Sequence, residues 1–328
     1  MRERIRKILV TGGCGFIGSA FVRIATSKGY RVVVIDKLTY AGDLARLKGV
    51  SPKYKFYKTD ICDKAKVEKI FVVEKPSIVI NFAAETHVDR SILDSGIFLE
   101  SNLMGSQALL DIINKYEIRK FIQISTDEVY GEIIRGRFLE SSPLRPNSPY
   151  AASKAAADLL ISSYMRTYGF PALIVRPCNN YGPWQYPEKL IPLSILKIIK
   201  GDKIPLYGDG KNVRQWLYVD DCARGIVELM EKGSIGEIYN LSGAEELKNI
   251  EVLKIILRIL NCSDSLIQFV KDRPGHDKRY SLNSQKISKL GFKPRVSFRK
   301  GIENTVNWCL EHKTWLLSKW KDIAPLYK

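Results

Sequence analysis

A glycine-rich turn near the start of the chain restricts the possible folds more than any other feature of the sequence. Residues 7–11 (KILVT) are mostly apolar, and Gly12, Gly15 and Gly18 follow them in the pattern GxxGxxG, directly before a helical stretch. Glycine permits the tight turn from strand to helix and lets a diphosphate approach the free N–H groups at the helix N-terminus. The turn therefore predicts a dinucleotide-binding fold.

An acidic residue at the end of the next predicted strand favours one dinucleotide over another. Asp36 follows RVVVI (31–35). A carboxylate at this place accepts hydrogen bonds from ribose hydroxyl groups and repels a 2′-phosphate, so we expect NAD rather than NADP as the cofactor. A glycine turn in some other α/β protein is the alternative. Other predicted strand ends that should border the cofactor carry Asp60, Ile61, Phe82, Ala83 and Ala84.

Strands and helices alternate along the first half of the chain. The predicted strands are 7–11, 31–35, 55–59, 77–82, 120–125 and 172–176. Helix-length segments separate most of them, which predicts an α/β protein with a Rossmann-type, doubly wound parallel sheet. After residue 178 prolines and glycines cluster. We therefore expect an NAD-binding domain (1–178) and a smaller mixed α/β sugar-nucleotide-binding domain (179–328), with a possible return to the main sheet near 213–243.

Charge and composition argue against several classes of protein. The net charge of +17 could indicate nucleic-acid binding, but Lys and Arg are spread along the chain without a long basic run, which favours a basic solvated surface. No apolar run approaches the ~18 residues of a membrane helix, and the N-terminal run ILV is too short for a signal peptide. We therefore expect a cytoplasmic protein. Six scattered cysteines and three histidines show no metal-site spacing, so we expect no metal.

A tyrosine and a lysine four residues apart are candidate catalytic groups. Tyr150 and Lys154 form YxxxK at the start of a predicted helix, where this spacing places both on one face. An ammonium group beside a phenol stabilises the phenolate, so we expect Lys154 to lower the pKa of Tyr150. YxxxK is common by chance, and its position after the fifth strand of a dinucleotide fold gives it weight. Such a tyrosine can take a hydroxyl proton while a hydride leaves the same carbon.

Two adjacent acids follow another predicted strand. Thr126, Asp127 and Glu128 come after KFIQIS (120–125). Residues beyond the carboxyl ends of parallel strands face the ligand crevice. Two carboxyl groups beside a hydroxyl group indicate a paired general acid and base. A solvated turn capped by the threonine is the alternative, and the position in the fold favours catalysis.

Longer segments of the chain resemble one enzyme family. GxxGxxG and YxxxK together are typical of the extended short-chain dehydrogenases, and STDEVYG (125–131) resembles the sugar-nucleotide 4,6-dehydratases among them. The related 4-epimerases usually carry serines where Asp127 and Glu128 stand. The resemblance is greatest to the dehydratases that act on dTDP-glucose. It extends through DKLTYAG (36–42), AAETHVDRS (83–91), NNYGPWQYPEKLIP (179–192), RQWLYVDD (214–221) and DRPGHDKRY (272–280).

This resemblance implies a reaction and a role for each catalytic residue. It implies a lyase that converts dTDP-glucose to dTDP-4-keto-6-deoxyglucose: NAD takes a hydride from C4, water leaves across C5 and C6, and the hydride returns to C6. Tyr150 would be the base at the 4-hydroxyl, tuned by Lys154, and Thr126 would hydrogen-bond the C4 oxygen. Glu128 would remove the C5 proton, and protonated Asp127 would donate to the leaving 6-hydroxyl. The alternatives are an NAD-dependent 4-epimerase or decarboxylase acting on a UDP-sugar, and an NAD-binding regulator.

The resemblance also implies ligand contacts. The cofactor contacts are Gly12, Gly15, Phe16, Ile17, Gly18, Asp36, Lys37, Leu38, Thr39, Asp60, Ile61, Phe82, Ala83, Ala84, Thr86, Ser101, Tyr150, Lys154 and Asn180. The nucleotide-sugar contacts are Thr86, Thr126, Asn179, Lys189, Leu190, Pro205, Leu206, Tyr207, Arg214, Asn249, Asp272, Arg273, Pro274, Gly275 and His276. Two residues depart from the family pattern: Gln215, where an aspartate is usual, and Thr86, where serine is common. These departures affect the details of diphosphate and cofactor binding.

Members of this family commonly form dimers. The resemblance implies a homodimer through the helices at about 97–116 and 150–168, for which ALLDII (108–113) offers apolar residues, although such residues are more often core. We expect no nucleic acid and no membrane as partners. A rhamnose pathway would use the product, and so would those of other deoxysugars.

Overall fold

The computed structural model describes residues 7–50 and 54–327, and a parallel sheet runs through the centre of this part of the chain. The strands are β1 (Lys7–Thr11), β2 (Arg31–Asp36), β3 (Tyr54–Lys58), β4 (Ile78–Asn81), β5 (Lys120–Ile124), β6 (Ala172–Pro177), β7 (Asn179–Tyr181), β8 (Ile204–Tyr207), β9 (Val213–Tyr218), β10 (Ile238–Leu241), β11 (Glu246–Lys248) and β12 (Ile267–Val270). The main sheet has the order β10-β6-β5-β4-β1-β2-β3, and all its pairs are parallel. The Rossmann-type α/β fold predicted from the sequence is confirmed.

Helices cover both faces of the main sheet. The helices of the described residues are α1 (Phe16–Ser27), α2 (Lys64–Glu74), α3 (Val88–Leu93), α4 (Gly96–Phe98), α5 (Gly105–Ile113), α6 (Pro149–Tyr168), α7 (Leu190–Lys200), α8 (Val219–Lys232), α9 (Asn249–Ile259), α10 (Gln285–Ser288), α11 (Phe298–Glu311), α12 (Lys313–Ser318) and α13 (Trp320–Ile323). A π-helical turn, Leu99–Met104, joins α4 to α5. Ile8 and Val10 share a core with α1 and α8, and Leu9 shares another with α2, α5 and α6. The strand is buried on both faces, which explains why its side chains are apolar at successive positions.

The second half of the chain builds two small sheets and also extends the main one. β9 lies between β7 and β11, and β8 pairs with β12. The chain returns to the main sheet through α8, which packs against α1, and through β10, whose Ile238 lies opposite Ile174 of β6. The main sheet is therefore built from both halves of the chain.

The helix α5 buries an apolar segment that we expected to offer surface. Leu109, Leu110 and Ile113 are at most 1% exposed, because this part of α5 packs on the sheet. The apolar residues of 108–113 are therefore core, which is the alternative given above, and the expectation that they offer apolar surface to a dimer is wrong. Within residues 7–50 and 54–327, no helix has the length and apolar character to cross a membrane. The basic start of the chain, residues 1–6, for which we expected no signal peptide, lies outside the described residues.

Candidate active site

A continuous cleft follows the carboxyl ends of the main-sheet strands. It consists of three adjoining cavities of about 80, 250 and 170 Å³, which we call the adenosine-side cavity (lined by Asp36), the central cavity (lined by Tyr150) and the arginine cavity (lined by Arg214). Gly15 lines both the first and the second cavity, and Glu128 lines both the second and the third. The loops that follow parallel strands meet at this edge of the sheet, which is where such folds bind ligands.

The glycine turn leaves no room for side chains. Gly12 has a φ of 65°, and a Cβ on it would lie 2.6 Å from the backbone nitrogen of Ala83. A Cβ on Gly18 would overlap the carbonyl oxygen of Gly12. The start of α1 is thus packed directly against the turn, and its N-terminus opens onto the cleft. Such a cradle can bind phosphate groups through backbone N–H groups.

Two backbone N–H groups hold the Asp36 carboxylate, one in the glycine turn and one in the segment after β2. Its Oδ2 accepts a hydrogen bond from the N–H of Cys14 (2.9 Å), and its Oδ1 accepts one from the N–H of Leu38 (2.8 Å). Burial raises the pKa of Asp36, and these N–H groups oppose the shift. Each carboxylate oxygen retains acceptor capacity for a ligand hydroxyl group. Asp36 is therefore held in one orientation, with acceptor capacity left for ligand hydroxyl groups.

Three further residues expected at the cofactor come together in the adenosine-side cavity. Lys37 donates from Nζ to Oγ of Ser101 (3.2 Å) and forms an ion pair with Asp60 (3.3 Å). All three line the cavity. These contacts join the segment after β2, the segment after β3 and the π-helical turn around one cavity.

The helix α6 carries Tyr150 and Lys154 into the central cavity. Ser148 caps the helix by accepting a hydrogen bond from the N–H of Ala151 (3.1 Å), and Pro149 lies in the first turn, where its missing N–H is not needed. Tyr150 is 7% exposed and Lys154 is 2% exposed. Both side chains line one cavity, as their spacing predicts.

The expected effect of Lys154 on Tyr150 is not found. Burial raises the pKa of Tyr150 above its usual value, the Glu128 carboxylate adds to the rise, and a hydrogen bond with Thr126 opposes it. Lys154 donates to the carbonyl oxygen of Ile124 (2.7 Å), and burial lowers the pKa of Lys154 to about 8. The prediction of a lowered pKa for Tyr150 is therefore wrong for the protein alone, because burial and the Glu128 carboxylate disfavour the phenolate.

A buried ion pair lies behind Lys154. Oδ2 of Asp158 accepts hydrogen bonds from Nε of Arg176 (2.9 Å) and from Oγ of Ser125 (2.9 Å). Arg176 also donates from Nη1 to the hydroxyl oxygen of Tyr130 (2.8 Å). The Asp158 carboxylate opposes the lowering of the pKa of Lys154. This fixed charge, one helical turn beyond the lysine, favours its protonated form.

The two adjacent acids lie on a short 3-10 turn, Asp127–Tyr130, directly after β5. Thr126 begins the turn: its Oγ1 accepts a hydrogen bond from the N–H of Glu128 (3.3 Å) and donates to Oδ1 of Asp127 (3.3 Å). Asp127 is only 3% exposed, so the turn is not the solvated one of the alternative interpretation. Thr126 and both acids line the central cavity with Tyr150.

The two acids lie in different electrostatic surroundings. Burial and the Glu128 carboxylate raise the pKa of Asp127 to about 8, against the opposing charge of Arg214. Burial also raises the pKa of Glu128, but Arg273, Lys189 and Arg214 all favour its charged form. At neutral pH Asp127 is therefore mainly protonated, whereas the three cations favour the charged form of Glu128.

Three cations line the arginine cavity: Lys189, Arg214 and Arg273. Arg214 is 4% exposed and donates from Nη2 to the carbonyl oxygen of Asp277 (2.8 Å). Its guanidinium carbon lies 4.2 Å from the ring centroid of Tyr280. These contacts fix the planar guanidinium group, which suits it to bind a diphosphate.

Asp89 joins two of the segments that we expected at the substrate. Its Oδ2 accepts a hydrogen bond from the hydroxyl group of Tyr207 (3.0 Å), and its Oδ1 accepts one from Nη1 of Arg273 (3.3 Å). Nδ1 of His276 lies 2.6 Å from Oδ1 of Asp272, and burial lowers the pKa of His276 to about 4. The wall of the arginine cavity is thus ordered by its own polar contacts.

Buried polar atoms without a partner lie along the cleft. Among the described residues they include Asp127 Oδ2, Asn179 Oδ1, Asn180 Oδ1, Gln185 Oε1 and Arg273 Nε. All five residues line the central or the arginine cavity. Buried polar groups are nearly always hydrogen-bonded in native proteins, so these atoms point to a polar ligand.

Most residues predicted from the sequence line the cleft. They are Gly12, Gly15, Phe16, Ile17, Gly18, Asp36, Lys37, Thr39, Asp60, Ile61, Phe82, Ala83, Ala84, Thr86, Ser101, Thr126, Asp127, Glu128, Tyr150, Lys154, Asn179, Asn180, Lys189, Leu190, Pro205, Leu206, Tyr207, Arg214, Asn249, Arg273 and His276. Leu38, Asp272, Pro274 and Gly275 do not line these three cavities. Leu38 and Asp272 instead hold Asp36 and His276 in place.

Gln215 has a structural explanation. It is 1% exposed, its Oε1 accepts a hydrogen bond from the N–H of Leu282 (2.7 Å), and its Nε2 donates to the carbonyl oxygen of Leu282 (3.4 Å). This departure from the family pattern therefore secures β9 to the segment at Leu282 and does not line the cleft. Thr86, the other departure, lines the central cavity.

Several lining residues were not predicted. Gln185, Glu188 and His87 line the cleft. They lie inside two of the segments that carry the resemblance, so those segments could have indicated them. Arg46 also lines the central cavity, but it lies in no motif.

The arrangement defines an extended short-chain dehydrogenase, because Tyr150 and Lys154 face the same cavity as the glycine turn. The model of the GDP-mannose 4,6-dehydratase family matches residues 9–305. The chain belongs to this family.

Relatives are similar over nearly the whole chain. A dTDP-glucose 4,6-dehydratase from Actinoplanes sp. is 47% identical over 319 residues, which cover 94% of this chain and 99% of the relative. The solved structure of a double mutant of DesIV, a dTDP-glucose 4,6-dehydratase from Streptomyces venezuelae with NAD and DAU bound, has a TM-score of 0.93 and 45% identity, covering 95% and 99% of the two chains. UDP-glucose 4-epimerase of Thermus thermophilus in complex with NAD has a TM-score of 0.88 and 33% identity, covering 93% and 99%. The resemblance to the sugar-nucleotide dehydratases is confirmed.

Proposed function

We propose that this protein is an NAD-dependent lyase that converts dTDP-glucose to dTDP-4-keto-6-deoxyglucose. The observation that carries the proposal is the pair Asp127 and Glu128, two acids in different electrostatic surroundings beside Tyr150 in one cavity. Epimerisation at C4 has no use for such a pair, because no water leaves. The identity with the DesIV dehydratase, 45%, also exceeds that with the 4-epimerase, 33%.

The residues of the first two cavities fit NAD. The cradle at Gly12 and Gly18 would hold the diphosphate, and Asp36 would hold the adenosine ribose and exclude a 2′-phosphate. Lys154 and the unpartnered Oδ1 of Asn180 would meet the nicotinamide half. When bound, NAD⁺ accepts a hydride from C4 of the sugar and, once reduced, returns it to C6.

Tyr150 takes the proton of the sugar 4-hydroxyl in the first step, and Thr126 would hydrogen-bond the same oxygen. Burial opposes formation of the phenolate. The ammonium group of Lys154 offsets this from the same face of α6, and Asp158 favours its charged form. The first step therefore requires Tyr150 and Lys154 together.

Asp127 and Glu128 have separate roles in the elimination of water. The 4-ketone acidifies the C5 proton, which the Glu128 carboxylate removes, and neutral Asp127 donates its proton to the 6-hydroxyl, which leaves as water. The raised pKa of Asp127, about 8, supplies the acid at neutral pH, and Arg273, Lys189 and Arg214 favour the carboxylate form of Glu128 that would act as the base. Glu128 then returns a proton to C5 as the methyl group forms.

The arginine cavity would hold the nucleotide of the substrate. Arg214, Arg273 and Lys189 face the diphosphate, and Pro205 to Tyr207 border the base. Bidentate contact with phosphate oxygens explains why the site uses arginine. The same cations would then have two roles, because they also favour the charged form of Glu128.

One assay tests the reaction. Protein, NAD⁺ and dTDP-glucose are incubated in D₂O and the product is examined by NMR and mass spectrometry. We expect a 4-keto-6-deoxy sugar with deuterium at C5. A galacto-product formed without loss of water would overturn the dehydratase. Equal kcat/KM values for dTDP-glucose and UDP-glucose would refute the preference for thymidine.

We also infer a homodimer. Large apolar side chains are exposed along the π-helical turn, its flanks and α6: Leu93 (77%), Leu99 (47%), Met104 (55%) and Leu159 (62%). Exposed apolar residues that cluster on adjacent helices are typical of an interface. Light scattering of the wild type should give a dimer and Leu159→Lys a monomer, whereas Val73→Lys, at an equally exposed position of α2, should remain dimeric. A monomeric wild type would contradict the inference.

A further inference from the structure

A buried arginine lies behind the glycine turn. Arg46 belongs to a short 3-10 helix, Leu44–Leu47, between β2 and β3. It is 1% exposed, and with Gly15 and Gly18 it lines the central cavity. Its side chain therefore approaches the turn from inside the protein.

The contacts of Arg46 are all to neutral groups. Its Nη1 donates to the carbonyl oxygens of Cys14 (2.8 Å) and Ala41, and its Nε donates to that of Trp184 (3.1 Å). The guanidinium carbon lies 5.6 Å from the ring centroid of Trp315. Nη2 has no hydrogen-bond partner in the described part of the chain.

The positive charge of Arg46 has no dedicated counterion in residues 7–50 and 54–327. Asp43 and Asp36 favour its charge through space. Neither is available as a partner, because Asp43 forms an ion pair with Lys319 (2.9 Å) and Asp36 binds two backbone N–H groups. Burial lowers the pKa of Arg46 to about 10, which leaves it charged at neutral pH. A buried cation without a counterion is unfavourable unless an anion binds nearby.

We propose that Arg46 supplies the positive charge that binds the diphosphate of the dinucleotide at the glycine turn; the inference rests on the proposed binding of NAD. The turn itself offers only N–H groups and the dipole of α1. Arg46 already holds the carbonyl oxygen of Cys14 within this turn and keeps a free donor at Nη2. A charge inside the protein is weakly screened, so it acts on a diphosphate across the cavity wall. Arg46 is thus an affinity-determining residue outside the glycine motif.

Binding without turnover tests this role. ADP-ribose carries the diphosphate but no nicotinamide, and adenosine lacks the diphosphate. Each is titrated into wild type, Arg46→Gln and Arg46→Lys, by calorimetry for ADP-ribose and by competition with NADH fluorescence for adenosine. We expect Arg46→Gln to weaken ADP-ribose binding by roughly tenfold or more and adenosine binding by less than about twofold, and Arg46→Lys to restore most of the loss.

A neighbouring arginine provides the control. Arg23 donates from Nη1 to the carbonyl oxygen of Arg46 (3.1 Å) but lines none of the three cavities. Arg23→Gln should leave the ratio of the two affinities unchanged. If Arg46→Gln does not fold, Arg46→Met, which removes the buried charge and keeps an apolar stem, replaces it.

The outcomes are distinct. Equal weakening of ADP-ribose and adenosine would show that Arg46 only joins the segments at Cys14, Ala41 and Trp184, and unchanged ADP-ribose binding would show that its charge is not used. Either result overturns the inference. A wild type that binds neither NAD nor ADP-ribose would instead refute the proposed function.

Discussion

The Glu128 carboxylate raises the pKa of Asp127, because the two residues are adjacent on one short turn and line the same cavity. Burial is the largest cause of the raised pKa of both acids, but Arg273 and Lys189 favour the charged form of Glu128, and Arg214 favours that of both. This difference in surroundings supports the proposed roles of Asp127 as the acid and Glu128 as the base. The raised pKa of Asp127 should make the reaction sensitive to pH.

Elimination should fail as the pH rises through the pKa of Asp127. The acid must be protonated to donate to the leaving hydroxyl group, and its pKa is raised to about 8, so activity is present below that pH and falls above it. Asp127→Asn should lower kcat by roughly 10²–10⁴-fold and remove this alkaline decline. Product formation measured against pH tests both effects. A decline that persists unchanged in Asp127→Asn would assign it to another group.

Glu128→Gln should separate oxidation from elimination. Without a base at C5 the 4-hydroxyl can still be oxidised, so reduced cofactor should accumulate on the protein, visible by its absorbance, while no deuterium enters C5 in D₂O. Glu132→Gln is the control, since Glu132 is exposed on the following loop and lines none of the three cavities. Elimination at the wild-type rate in Glu128→Gln would show that the C5 base is elsewhere.

Gly12→Ala should abolish cofactor binding. Its Cβ would lie 2.6 Å from the backbone nitrogen of Ala83, so β1 and β4 would have to separate at the cradle. Gly29→Ala is matched for backbone strain, because both glycines have positive φ (65° and 91°), but a Cβ on Gly29 meets nothing within 4 Å. Titration with NAD⁺ should show binding in the control and none in Gly12→Ala. Equal binding would mean that the turn has no steric requirement.

Asp158→Asn should destabilise the fold as well as slow the first step. It leaves Arg176 buried without its ionic partner, which costs on the order of 3–5 kcal/mol. Urea unfolding should show this loss. Glu303→Gln, which breaks the exposed pair with Arg299, should have little effect. If Asp158→Asn is as stable as wild type, the buried pair does not stabilise the helix that carries Lys154.

Glu74 should make stability depend on acid pH. It is 1% exposed, and although burial disfavours its charge, Tyr57, Lys55 and Lys7 lower its pKa to about 2. A depressed pKa contributes stability above the unfolded value of about 4.5, which is lost as the pH falls towards 2. At pH 7, Glu74→Gln should reduce the free energy of unfolding by on the order of 3 kcal/mol, and the difference from wild type should shrink below pH 4. Urea unfolding at several pH values measures it; a difference that does not change with pH would contradict the ionic origin.

Much of the fold was predictable because its signals are local. A strand buried on both faces is apolar along its length, so β1, β2 and β6 stand out in the sequence. Tyr150 and Lys154 follow from helical spacing together with their position after the fifth strand of the main sheet. The positions of Asp127 and Glu128 follow from the rule that ligands meet the carboxyl ends of parallel strands.

What the sequence did not predict depends on contacts between distant segments. The raised pKa of Tyr150 results from burial, which no spacing encodes. Arg46 has no motif, and its place behind the glycine turn is set by carbonyl groups of Cys14 and Trp184, from two remote parts of the chain. Gln215 was predicted to affect diphosphate binding, but its side chain forms two hydrogen bonds with the backbone of Leu282, a segment distant in sequence.

The pairing of β10 with β6 bears on how the protein is made. During synthesis β6 leaves the ribosome well before β10, and until then its outer edge has free N–H and C=O groups that can pair with other chains. A fragment of residues 1–178 should therefore aggregate rather than fold as an independent NAD-binding unit. Parallel pairing between distant segments also raises the contact order, so maturation should be slow and should benefit from chaperones.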